Sequence, residues 1–84
     1  MEQEVFVVAR VANKITTRNK NILLEVGDSV KKEIVFINHK RKGLLKKAKE
    51  LLVNDVVKII GVVNFGLIIA KNIYINWIFL ENLR

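Results

Sequence analysis

The chain has 84 residues, 51% of them hydrophobic and 27% charged, so it can bury one modest core, ~60–65% of its unfolded surface. It has no cysteine, which excludes a disulfide framework, thiol catalysis and thiolate metal sites; one histidine and scattered carboxylates predict neither metal nor cofactor. Fifteen Lys and Arg against eight Asp and Glu leave a formal net charge of +7, an excess that suits an anionic partner, nucleic acid first.

The opening Met-Glu-Gln-Glu is acidic where a secretory leader would be basic. The longest uncharged run, residues 59–70, is shorter than the ~20 residues of a membrane helix. A soluble, cytoplasmic chain with no membrane partner is expected.

Residues 4–12 (EVFVVARVA) alternate as a strand, with Val5, Val7, Ala9 and Val11 on one face and Phe6, Val8 and Arg10 on the other. Residues 13–20 (NKITTRNK) are polar and read as a loop. A second strand over 21–26 turns Ile22, Leu24 and Val26 inward, and Gly27-Asp28-Ser29 predicts a hairpin into the third strand, 33–38. Four apolar residues in a row blur the parity of that strand; Ile34 and Phe36 are assigned to the interior.

Leu44, Leu45, Ala48, Leu51 and Leu52 recur at helical spacing among lysines, which predicts an amphipathic helix over 43–52. Val53-Asn54-Asp55 stops it. β-Branched residues then predict a fourth strand over 55–63, with a bulge or bend at Gly61. Asn64-Phe65-Gly66 turns the chain into a fifth strand, about 67–77, and 79–84 read as a tail. The whole chain, 1–84, reads as a single domain. A helix feeding a bent strand, with short strands on both sides, suggests a small closed barrel plugged at one end. The expected class is mainly β: a five-stranded barrel with one helix between strands three and four, the element order of the oligonucleotide/oligosaccharide-binding (OB) fold.

Short motifs agree. Ala9-Arg10-Val11 stands where OB domains end their first strand in Gly-Arg-Val, ILLEVGDS follows as the second strand and its acidic turn, and residues 54–63 (NDVVKIIGVV) fit Gly-Asp-x-Val-x-x-x-Gly-x-Val with Asn54 in place of Gly. In these residues, over about 5–75, the chain resembles OB-fold domains of the tRNA anticodon-binding type. The helix and fourth strand also look like the OB domain of the archaeal enzymes that modify the anticodon of an isoleucine tRNA, the agmatinylcytidine synthetases. The resemblance implies RNA, tRNA foremost, as the partner.

Lys40, Arg41 and Lys42 directly precede the helix, where the macrodipole disfavours cations by ~0.3–1 kcal/mol each; a bound phosphate would reverse that. The alternative is a solvated turn. Lys14, Arg18 and Lys20 fall in the loop between strands one and two, part of the OB cleft, where they could grip phosphates without sequence preference. Arg10 and Lys58 supplement them. Phe65, at a turn tip, is the best candidate for stacking on a base, while Phe6, Tyr74 and Trp77 fit packing better. His39 could touch a base or phosphate, or be an exposed loop residue. No triad or paired carboxylate marks an enzyme, so the chain reads as a non-catalytic binding module, or as the binding part of a larger nucleic-acid-processing enzyme.

A second hypothesis comes from aliphatics that parity turns outward: Val8, Leu23, Val35, Ile37, Val56, Ile60 and Ile68. Such a patch suits an oligomerisation or protein-interaction barrel, through a second copy or another domain. Single-stranded DNA is the third expectation.

Overall fold

The computed structural model describes residues 3–77. Its elements run β1 (Gln3–Thr16), β2 (Ile22–Gly27), β3 (Lys32–Ile37), α1 (Lys42–Glu50), β4 (Val56–Asn64) and β5 (Leu67–Ile75). The strands close a barrel in the order β1-β2-β3-β5-β4. β1 is long enough to serve two neighbours: residues 3–10 pair with β4 and residues 11–16 with β2, all antiparallel. β3 and β5 pair in parallel through Val35↔Ile68 and Phe36↔Ile69. With the helix between β3 and β4, this is the OB architecture.

Inside lie Val11, Ile22, Leu24, Val26, Val35, Ile37, Val57, Ile59, Ile68, Ala70 and Ile73. The helix covers one barrel end. Its apolar stripe puts Leu44 and Ala48 into the core, Leu51 follows at the C-cap, and Leu45 packs partly against them. Leu52, expected on the same stripe, is 69% exposed, because the helix stops at Glu50 and the chain turns out at Leu51 (ψ 139°). No helix among the described residues is long and apolar enough to cross a membrane.

Two single-residue bulges shape the barrel and shift its pattern. Val11 pairs with Val26 but Asn13 with Glu25, so Ala12 is an extra residue on β1. Residues 13–16 are therefore strand, where the sequence pattern gave a loop. The true loop is 17–21. In β5, Asn72 pairs with Ile60 and Ala70 with Gly61, leaving Lys71 as the extra residue beside that glycine. A Cβ on Gly61 would press into the Ile69 carbonyl oxygen, so the glycine permits the close strand approach at this bend.

The parity of β3 is the reverse of the expectation. Val35 and Ile37 are fully buried, while Ile34 and Phe36 are half-buried on the outer surface, cross-strand from Glu25 and Leu23. Ile68 is also core, since the Lys71 bulge lets Ile68 and Ile73 face inward although they differ in parity. Three of the aliphatics expected outside, Val35, Ile37 and Ile68, are thus interior, and Val8, Leu23, Val56 and Ile60 remain at the surface. β5 ends at Ile75, short of Trp77, and residues 79–84, read as a tail, lie outside the described residues.

Candidate nucleic-acid interface

Residues 17–21 form a tight loop closed by Thr17 N–H donating to Asn21 O (2.8 Å) and Lys20 N–H donating to Thr17 O (2.9 Å). Lys20 takes a left-handed φ of 68°, and both it and Arg18 project into solvent. Asn21 then ties this loop to the β3–α1 connection. Its Oδ1 accepts from the backbone N–H of His39 (2.8 Å) and lies 2.7 Å from that residue's Nδ1. His39 is half-buried in this clasp, so its ring serves to join two loops that are far apart in sequence.

On the other side of the clasp, Asn38 organises the turn into the helix, its Oδ1 accepting from Lys40 N–H (2.9 Å) and its carbonyl from Arg41 N–H (3.0 Å). Arg41 is the helix N-cap. No side chain caps the helix there and its first turn holds no acid, so Lys42 and the exposed amides meet solvent with the dipole unopposed. The Arg41 guanidinium donates weakly to Lys71 O (3.3 Å). One end of the barrel therefore gathers Arg18, Lys20, His39, Lys40, Arg41 and Lys42.

Two further predicted cations have internal partners. Lys14 extends beneath the helix and its Nζ donates to the Lys49 and Leu51 carbonyls (2.7 and 2.9 Å), satisfying groups that the helix C-terminus leaves unpaired. Arg10 Nη1 donates to Asn54 O (3.0 Å). Both clamp the α1–β4 connection. Lys58 lies on the outer face of β1–β4–β5, cross-strand from Val8 and Tyr74. Its ammonium sits 4.1 Å from the Trp77 ring centroid, 5.7 Å from that of Phe6 and 5.8 Å from that of Tyr74. The sequence pattern takes these rings singly; the Lys58 ammonium, close to all three, shows them as one cluster.

Phe65 is at the far end of the barrel, in the two-residue β4–β5 turn. It and Gly66 both take positive φ, 51° and 76°, as a type I′ hairpin demands. Asn or Asp would suit the first position, yet a phenylalanine stands there strained and 97% exposed. Between the loop cations and Phe65 runs the outer face of β2–β3, which carries Leu23 and Phe36 at its centre, with Ile15 beside Leu23 and Ile69 beside Phe36. Phe36 was missed as a surface ring because the sequence pattern placed it inside.

No family model matches this sequence, and no curated protein is significantly similar to it. Among solved structures, a chain of the crystal structure of the S. pombe Stn1–Ten1 complex is similar to it with a TM-score of 0.79 and 17% identity, covering 98% of this chain and 68% of that one. The likeness is one of fold. It bears out the OB barrel and gives no support to the narrower tRNA anticodon-binding or agmatinylcytidine synthetase resemblance.

Proposed function

We propose that this barrel is a non-catalytic module that binds single-stranded nucleic acid. The observation that carries the reading is the Asn21–His39 clasp, which holds Arg18 and Lys20 beside Lys40, Arg41 and Lys42 next to an uncapped, acid-free helix N-terminus. Phosphates are the ligands such an end favours. From there a strand would cross Leu23 and Phe36 on the β2–β3 face and reach Phe65, whose exposure and backbone strain fit a ring waiting for a base. His39 contributes by fixing the loops, Arg10 and Lys14 by holding the α1–β4 connection, and Lys58 by adding charge to the neighbouring face.

RNA, with tRNA foremost, is the narrower reading, and only the resemblance over about 5–75 suggests it; DNA satisfies the same phosphate contacts. Fluorescence anisotropy with single-stranded RNA, single-stranded DNA and tRNA, each at two salt concentrations, tests both levels. Salt-sensitive binding is expected, and preference for tRNA or RNA over DNA would carry the narrower reading. Absence of binding to all of them at low salt would overturn the proposal.

A second reading has its own observation. Phe6 is 63% and Val8 50% exposed on the outer face of β1–β4–β5, beside half-buried Val56 and Ile60. That face suits a protein partner or a second copy of the chain. Sedimentation across a concentration series tests the second copy: a concentration-independent monomer would remove it.

A further inference from the structure

At the barrel end away from the helix, two clefts of about 430 and 400 Å³ meet at Val7 and Glu33. They exist because β1 pairs with β2 only from Val11 onward, so the edge of residues 5–10 facing the β2–β3 hairpin has no strand partner among the described residues. Each lies within the ~300–1,000 Å³ range of small-ligand sites, at a barrel mouth where such sites occur. Aliphatic side chains, among them Val5, Val7 and Ile34, form the walls, and Arg10, Lys31 and Lys32 stand among the lining residues.

Glu33 is the anomaly. Its side chain is 35% exposed; among the described residues its buried Oε2 has no hydrogen-bond partner, and its Oε1 lies 3.8 Å from Lys31 Nζ. Oε2 is closed to solvent, so a ligand's donor would reach this carboxylate at Oε1, adding a hydrogen bond to a group otherwise held by a long ion pair with Lys31. A peptide lysine or arginine would supply a donor but meet the surrounding cations. A nucleotide whose base bears an exocyclic amine meets the features: a flat apolar body for the walls, an N–H for Glu33, and a phosphate for Lys31 or Lys32. Ile34 and Gly66 line the second cleft, next to Phe65, so the slot opens onto the track followed above.

We infer that this cleft takes one base of the bound strand, and that Glu33 selects an amine-bearing base, such as cytosine, over uracil, whose carbonyl would face the carboxylate. The inference rests on the nucleic-acid reading. Anisotropy titrations with deoxycytidine and deoxyuridine homopolymers at low salt and neutral pH test it. The cytosine strand is expected to bind about tenfold more tightly, and Glu33→Leu to abolish that preference while uracil binding stays. Methylating both hydrogens of the cytosine amine gives the same test on wild-type protein, whatever the fate of the variant, and should lower affinity to the uracil level. Equal affinity for the two strands, or a preference that survives either change, would overturn the role of Glu33 and leave the general binding intact. Failure of both strands to bind would overturn the nucleic-acid reading itself.

Discussion

Removing Lys40 and Lys42 should halve the salt dependence of binding. Among the described residues, the side chains of Arg18, Lys20, Lys40 and Lys42 make no hydrogen bond or ion pair within the chain, whereas Arg10, Lys14 and Arg41 donate to backbone carbonyls. If each free cation meets one phosphate, about four counterions are released, and log K falls against log salt with a slope of about −2.8 at ~0.7 per contact on a single strand. Affinity would then drop about 50-fold between about 50 and 200 mM salt. With Lys40→Ala and Lys42→Ala the slope becomes about −1.4 and the same change in salt weakens binding only about 7-fold. Anisotropy of a labelled single strand across that range measures both slopes. A double variant that keeps the wild-type slope would show that the phosphates lie elsewhere on the barrel.

Lys14→Met should destabilise the fold by about 1–2 kcal/mol in urea melts, because the Lys49 and Leu51 carbonyls lose their cation, while the salt slope stays as in wild type. Gly61→Ala should cost about 1–3 kcal/mol, since the new methyl meets the Ile69 carbonyl and Ile68 Cγ2; a stable variant would refute the close approach. Asp28 Oδ1 accepts from the Val30 and Lys31 amides (2.8 Å each), and these bonds lower its pKa below the ordinary 3.8. Its contribution is therefore present above pH 3.8 and lost as pH falls through the lowered folded value. Asp28→Ala should lower Tm near neutrality, and the gap should close at the acid end of a pH series.

Much of the barrel was legible because alternation is a direct imprint of one buried face. It identified β2 with Ile22, Leu24 and Val26 inward, the first half of β1, and the helix with Leu44 and Ala48. It failed wherever the chain stops counting by twos. The Ala12 bulge turns Lys14 to the side Val11 faces, so residues 13–16 look like a polar loop although they pair with β2. The Lys71 bulge does the same to Ile68 and Tyr74, which share parity but not a face. In β3 the run Ile34-Val35-Phe36-Ile37 carries no period at all, and only its hairpin pairing with β2 decides which residues are inside. Of the site, the cations were legible as types. Which were already bound to the chain's own carbonyls was not, because Lys14 and its partners lie 35 and 37 residues apart.

The clasp between Asn21 and His39 separates two quantities that a titration usually mixes. The slope against salt counts charges; the affinity at a fixed salt also records how much loop motion the ligand must arrest. With the loops joined at folding, that arrest is small, since fixing free backbone would cost about 1–2 kcal/mol for each residue ordered. Asn21→Ala leaves every cation in the sequence, so the fitted line should keep its gradient and shift as a whole toward weaker binding. Evolution could tune the grip of such a module through one uncharged carboxamide, without touching a charge.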